Sequence, residues 1–508
     1  MSIFSHIDLG ATEEKGDDAK RTILAGTDMI AEILKTTLGP KGMLKMLKGQ
    51  NVSVTNDGAF ILKNLMIDSA SARILVDCSV GQDWEEGDGT TSVAILASLL
   101  VKEASKLSVH PTRILRGYRM AQEKCENILQ GMSFEPTRDD LMKIVWTTLC
   151  SKVVKYDIEK FCSMCVNAVE RLEGRNDLGL IQIIKCAGKL EDSYLDDGFI
   201  LKKDVMVEEV SNPRILIANT SMDHDKIKVF GAKINVSSVS ELEELENAEK
   251  AKIRDKVDRI SRSKADVFIN RQLIYDYPDQ LLRMKGIQPI EHADFDGVER
   301  LSNVLGGKIL STFESMDESC YGTCKSVKNV EIGGERAVRF EGVSNGASTI
   351  VLFGSSKEML DEAERSIHDA LCVLMKINEN PRAVYGGGAS EMSMAVGLNK
   401  YAMEVAGAES DAIISFSNAL QQIPKILSEN GGHDGEETKA SLRAEHNSGN
   451  SSYGVNVKDG SVCCMKEIGI IDSFRIKKRI IMAASEVAQM IVKCDGIAKR
   501  KPRERTRE

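Results

Sequence analysis

Aromatic side chains are scarce in this chain. They make up 5% of its 508 residues, with two tryptophans among them. A protein that stacks nucleobases on aromatic platforms needs more, so single-strand nucleic-acid binding is disfavoured. Positive charge is short as well: 67 Lys+Arg stand against 76 Asp+Glu, a net charge of -9, and no broad basic stripe runs through the sequence. Nucleic acid is therefore a poor partner, although the last ten residues, "KRKPRERTRE", are locally basic. That end reads as a solvated tail. No run of 18 or more apolar residues occurs, so no membrane partner is expected through a spanning helix. The start "MSIFSHIDLGATEEKGDD" lacks the basic beginning and apolar stretch of a secretory leader. The 12 cysteines are scattered and do not form a disulfide framework, which fits a reducing cytoplasm. Cys162 and Cys165 make a lone CxxC, and Cys320 and Cys324 are far off in sequence. Zinc wants four ligands, so these read as ordinary thiols. His292 and His368 read as structural, since no Ser/His/Asp constellation surrounds them.

What the chain does have is segmental periodicity. Ile23, Leu24, Met29, Ile30, Ile33, Leu34 and Leu38 recur at helical spacing, and Gly39-Pro40 ends the run. "VSVTNDGAFIL" then reads as a strand, an Asn-Asp-Gly turn and another apolar run, a hairpin signal. Helical patterns return over 92–107 and 112–129. From Val205 to Gly354 the texture changes to short β-rich runs punctuated by glycine and asparagine, such as "RILIAN", "KIKVFGAKINV", "ADVFIN" and "STIVLFG". This reads as an α/β domain inserted between helical segments. Within it, Val239 to Lys264 is a highly charged helical stretch with sparse apolar residues, Leu242, Leu245, Ile253, Val257 and Ile260. Such a helix is expected to project or to meet a partner, a solvated surface helix being the bland alternative. After Gly354 helices resume, first with the stripe Leu360, Ala363, Ile367, Leu371 and Leu374. At 508 residues two to four domains are expected, with the two helical ends forming one of them.

Chemistry is expected at four glycine-bearing turns: "TLGPKG" (37–42), "NDGA" (56–59), "GDGTTS" (87–92) and "YGGG" (385–388). None is a P-loop or a dinucleotide fingerprint. A glycine turn that opens a helix can still cradle phosphate, because its N–H groups converge and the helix dipole favours an anion. In "GDGTTS", Gly87 and Gly89 let the backbone approach closely, while Thr90, Thr91 and Ser92 add hydroxyl donors. Asp88 is a hard oxygen ligand suited to Mg²⁺. Plain helix capping competes with this reading and prevails for any one such turn taken alone. Four together point to a phosphate ligand. Hydrolysis also needs a carboxylate to position water. Asp57, in a turn, and Asp369, on the helix that follows Gly354, are the candidates. By helical spacing Asp369 points roughly away from the apolar stripe, so a solvated carboxylate is the competing reading.

Taken in order, "TLGPKG", "VTNDGA", "GDGTTS", "ERSIHDAL" and "YGGG" resemble the group II chaperonins over nearly the whole chain. The resemblance implies a multidomain α and α/β chaperonin fold. A mostly helical equatorial domain would take residues 1–135 and 386–508, and an intermediate hinge domain 136–204 and 355–385. An α/β apical domain would take 205–354, with a helical lid protrusion at about 229–265. By that similarity Asp88 binds Mg²⁺, while Gly89, Thr90, Thr91 and Ser92 hold the phosphates of ATP. Leu38, Gly39, Pro40 and Gly387 close the pocket. Asp57 and Asp369 position the attacking water. Ser151 and Lys152 fall in a nucleotide-sensing loop, and Asp472 and Lys477 in an adenosine-contacting segment. Cys150 stands where relatives often have a hydroxyl, and Asp472 where many have Glu.

The implied function is an ATP-hydrolysing chaperone subunit of the cytoplasm. Its implied partners are seven related subunits in a double ring of eight per ring, unfolded clients such as actin and tubulin, and prefoldin. Clients would meet the apical helix near Asp296 to Leu305, although Val298, Leu301, Val304 and Leu305 there could equally face the core. Two other readings stay open: an ATP-binding ring subunit with a structural or regulatory role and little turnover, and a cysteine-based metal or redox protein.

Overall fold

A computed structural model describes residues 12–49, 52–205, 207–222, 239–291, 295–314, 316–343 and 345–499. It divides into two compact units, Met1–Val166 with Asp361–Glu508, and Asn167–Leu360. The two parts of the first unit thus come from opposite ends of the chain.

In the first unit the helix Thr90–Ser105 is apolar on nearly every face. Val93, Ala94, Ile95, Ala97 and Leu100 are fully buried along it, as expected of a helix surrounded by others. The helices Gly16–Lys35, Ala70–Glu86, Ala408–Gly431 and Phe474–Val492 pack around it, Pro111–Met132 packs against the last two, and one hydrophobic core runs through all of them. At its centre Tyr118 meets Phe416 edge-to-face at 5.3 Å. Its buried hydroxyl donates to the Leu100 carbonyl at 2.8 Å, so the polar end of this large side chain is satisfied. Strands Thr12–Lys15 and Gly496–Lys499 pair antiparallel near the two chain ends.

The expected hairpin across Asn-Asp-Gly is not there. Strand Val52–Thr55 pairs instead with Lys45–Lys48, upstream of it. Asp57 turns the chain into the helix Gly58–Asn64 by accepting the N–H groups of Ala59 and Phe60 at 3.2 and 3.1 Å. Its side chain therefore caps a helix where a hairpin turn was expected.

Among the described residues the second unit holds three sheets. In one, Gln288–Ile290, Val267–Asn270 and Arg214–Ala218 run parallel, with Tyr321–Thr323 antiparallel at the edge. A second, all antiparallel, has the order Gly198–Leu201, Glu335–Glu341, Ser326–Ile332, Val210–Ser211. In the third, Ser348–Gly354 lies between Ile181–Ala187 and Tyr194–Asp196. The run "KIKVFGAKINV", most of the N-terminal part of the expected protrusion, His292 and all but Lys499 of the basic tail lie outside the described residues.

Two expectations for this unit need correction. The charged helix, Val239–Arg262, does not project along its whole length: Ile253, Val257 and Ile260 are buried in a core with Leu216, Phe268 and Leu282. Their spacing of four and three residues makes a short stripe wide enough to dock the C-terminal half. In the helix Phe295–Leu305, Val298, Leu301, Val304 and Leu305 are all at most 1% exposed. They belong to the core, so those four side chains are not presented to a client.

Candidate functional site

All four glycine turns line one cleft of about 640 Å³ in the first unit. The helix Thr90–Ser105 starts there from Gly89, whose φ of +81° is left-handed and which offers no side-chain cap. The helix Ala389–Glu404 starts there from Gly388, again left-handed at φ +82° and again uncapped by a side chain. The helix Phe474–Val492 follows Ser473, also without a side-chain cap. Three helix N-termini therefore line the same cleft; in two of them the first N–H is already bonded, Ala389 to the Gly386 carbonyl and Phe474 to the Arg382 carbonyl, so Thr90–Ser105 is the end best suited to an anion. Glycine is required at both left-handed caps by contact as well as by conformation. A Cβ on Gly89 would stand 2.8 Å from Ile480 Cδ1, and one on Gly388 would stand 2.7 Å from Pro424 Cβ.

The expected site residues come together. Leu38, Gly39, Pro40, Asp57, Asp88, Gly89, Thr90, Thr91, Ser92, Ser151, Lys152, Asp369, Gly387, Asp472 and Lys477 all line the cleft. Asp57 accepts the Thr90 hydroxyl at 2.9 Å, which ties the "NDGA" turn to the "GDGTTS" turn. Asp88 Oδ1 accepts the Gly89 N–H at 2.6 Å. Asp369 is not the solvated carboxylate that helical spacing suggested. It is 8% exposed and accepts from the Lys152 ammonium at 2.8 Å. The reason is that the helix Lys357–Glu379 is buried well beyond its apolar stripe: Ala370, Cys372 and Val373 are covered too.

Electrostatics follow from this crowding. Burial lifts the Asp369 carboxyl to about 8; Lys152 opposes the rise, and the charges of Asp57 and Asp88 add to it. Asp88 is likewise raised, first by burial and against the pull of Lys152. Burial alone would lower the Lys152 ammonium, but Asp369, Asp57 and Asp88 outweigh it and hold it above its usual range. Three carboxylates thus share one lysine and leave surplus negative charge beside open N–H groups. An oxygen-only donor set with surplus charge fits Mg²⁺ shared with phosphate oxygens. Among the described residues no group of three or more His, Cys, Asp and Glu could hold a metal through protein ligands alone.

At another part of the cleft Lys477 lies between Glu391, at 2.6 Å, and Asp472, at 3.0 Å. Burial would lower this ammonium, and Asp472 and Glu391 together raise it instead. Burial would raise Glu391, but Lys477 and the hydrogen bond from Ser390 bring it below its ordinary value. Ile468, Ile470, Val455 and Val457 give the cleft apolar wall. Asn56, Glu391 and the Val455–Val457 wall were missed in the sequence. Asn56 and Glu391 had a readable signal, since each adjoins a glycine turn; the wall, inside a β-hairpin, had none.

None of the twelve cysteines forms a disulfide. Cys150 lines the cleft, whereas Cys162 and Cys165 are buried in the helix Ile158–Glu170. His368 is exposed, with Cys372 Sγ 3.6 Å away. No described helix is long and apolar enough to cross a membrane.

Residues 30–502 match the model of the TCP-1/cpn60 chaperonin family. The chain is 76% identical over 508 residues to T-complex protein 1 subunit beta of Encephalitozoon cuniculi (strain GB-M1), covering 100% of both chains. It is 46% identical to the protein of that name from Arabidopsis thaliana, covering 97% of each, and 45% identical to that from Homo sapiens, covering 98% of this chain and 96% of the relative.

Proposed function

The chain belongs to the TCP-1/cpn60 chaperonin family, a family of nucleotide-binding chaperones with a multidomain α and α/β fold, and from that premise we propose that it binds and hydrolyses ATP as one subunit of a hetero-oligomeric ring. The observation that carries the reading is the cleft, where Asp57, Asp88, Asp369 and Lys152 meet the open N-terminus of the helix Thr90–Ser105. The N–H groups of Thr90, Thr91 and Ser92 and the hydroxyls of Thr91 and Ser92 hold the phosphates. Asp88 would hold Mg²⁺ together with phosphate oxygens, and the ion would neutralise charge on the phosphates.

Water attacks the γ-phosphorus in line. The new O–P bond forms as the bond to the β–γ bridging oxygen breaks, giving ADP and phosphate. Asp369, with its carboxyl raised to about 8, has the affinity to take the water's proton near neutral pH. Lys152 offsets the charge that develops on the γ-phosphoryl oxygens. Asp57 fixes the Thr90 hydroxyl. Lys477, fully engaged by two carboxylates, adds no net positive charge, so its end of the cleft suits the uncharged nucleoside.

Within this reading residues 1–135 and 386–508 are the equatorial domain, 136–204 and 355–385 the intermediate domain, and 205–354 the apical domain with its lid. The helix that carries Asp369, Lys357–Glu379, is also where the chain returns from the second unit. The particle works in the cytoplasm on unfolded clients, actin and tubulin among them, with prefoldin as a delivering partner. The test is ATP turnover by the assembled particle carrying Asp369→Ala in this subunit alone. A drop in turnover with ATP still bound supports the proposal. Unchanged turnover, with ATP on this subunit that never decays even in the unmutated particle, supports a structural or regulatory subunit instead.

A further inference from the structure

Asn56 immediately precedes Asp57 and is 5% exposed in the wall of the cleft. Its Nδ2 donates to the backbone carbonyl of Ser151 at 2.6 Å. A carbonyl only accepts, so this contact settles which end of the amide is nitrogen. Oδ1 is then the other end, and it is buried with no hydrogen-bond donor. Leaving such an acceptor unmet is unfavourable, and native proteins rarely do so without a reason.

The neighbours say what that reason is. Asn56 is anchored on Ser151, and the next residue, Lys152, holds Asp369. On its other side is Asp57, whose oxygens already accept from Ala59, Phe60 and Thr90. A water poised for in-line attack must direct a lone pair at phosphorus and place both of its hydrogens on acceptors. Asp369 receives one. Asp57 has little capacity left for the other, whereas Asn56 Oδ1 has no competing donor.

We propose that Asn56 is a water-positioning residue of the hydrolytic site, accepting the hydrogen that is not transferred while its amide nitrogen locks it to the Ser151–Lys152 backbone. This rests on the reading of the cleft as an ATP-hydrolysing site. Asn56 takes no proton itself. It holds the attacking oxygen in line, so its loss slows chemistry by on the order of tenfold to a hundredfold with little effect on nucleotide binding.

The experiment uses the assembled particle and an azido-ATP photo-crosslinked to this chain, labelled in parallel at the α- or the γ-phosphorus. Loss of γ-label while α-label stays measures hydrolysis on this subunit alone. With Asn56→Ala, α-label incorporation should match the unmutated chain and γ-loss should slow at every pH. Asn56→Asp is the informative partner. Protonated, its acid group donates to Ser151 and accepts from water as the amide does; ionised, it repels the Ser151 carbonyl. Relative to the unmutated chain its γ-loss should approach normal at the acid end and fall as pH rises. Equal γ-loss in all three chains overturns the proposal. So does a parallel fall in α-label, which assigns Asn56 to binding or folding. If the unmutated chain takes α-label but never loses γ-label, the hydrolytic reading itself is refuted.

Discussion

Gly89→Ala puts one methyl group at the cap that directs three N–H groups into the cleft. Its cost can be worked from the structure. Gly89 has φ +81° and ψ 10°, a left-handed conformation that costs an L-residue about 1 kcal/mol or more. The new Cβ would stand 2.8 Å from Ile480 Cδ1 and 3.1 Å from Ile476 Cγ2. Both isoleucines are 6% exposed and line the cleft, so their terminal methyls can give toward it, at the low end of the about 1–3 kcal/mol of overpacking. If the turn rotates to escape, Asp88 loses its bond from the Gly89 N–H and the N–H groups of Thr90 to Ser92 turn away. A loss of about 2 kcal/mol in phosphate binding is about a thirtyfold rise in Kd. Titration calorimetry with ATP and Mg²⁺ reads the affinity, and thermal unfolding reads the stability. Gly81→Ala, on the preceding helix Ala70–Glu86 with nothing within 4 Å of the new methyl, is the control. It should stabilise by about 0.4–1 kcal/mol and leave Kd alone. Binding by Gly89→Ala within threefold of the unmutated chain would refute the cradle.

Other outcomes follow from the same geometry. The Asp369 carboxyl is raised from 3.8 to about 8 in the folded chain, so the folded state holds a proton that the unfolded state has released between those values. Its contribution to stability is present below pH 3.8 and lost as pH rises to about 8, and Asp369→Asn should flatten that part of the stability–pH curve. As a base Asp369 must be ionised, so kcat/KM for hydrolysis at this subunit should rise through about pH 8 and lose that limb in the Asn variant. Lys477→Met strands the buried Glu391, which should destabilise the first unit by about 3–5 kcal/mol; adding Glu391→Gln should recover part of the loss, as read by denaturant unfolding of the full chain. Leu301→Ala, in the helix Phe295–Leu305 with 0% exposure, should cost about 2–5 kcal/mol and open the second unit to limited proteolysis. Intact protection with client capture alone impaired would return that face to the surface.

Much of the cleft was readable because its parts are local chemistry. "GDGTTS" and "YGGG" must be glycine turns before helices, whatever surrounds them, since left-handed caps are specified within a few residues. The meeting of these turns was legible only in combination, through the resemblance. What local pattern could not carry was burial. Asp369 looked solvated because a helical wheel shows one packed face, and the helix Lys357–Glu379 has more than one. Val298, Leu301, Val304 and Leu305 form a stripe that suits a core and a docking face equally well. Asp57 misled in another way. Asn-Asp-Gly serves hairpins and helix starts alike, and only its bonds to Ala59 and Phe60 choose between them. Asn56 was visible only as the first residue of the "NDGA" turn; its meaning comes from Ser151, ninety-five residues away in sequence.

The central claim is that this cleft is the subunit's own nucleotide site. An electron-density map of the assembled particle with a non-hydrolysable ATP analogue and Mg²⁺ tests it directly. The account predicts a triphosphate against the N–H groups of Thr90 to Ser92, Asp88 facing the metal, Lys152 and Asp369 at the γ-phosphate, and the nucleoside toward Asp472 and Lys477. An empty cleft in this subunit beside filled ones in its neighbours, or a nucleotide seated elsewhere on the chain, would contradict it.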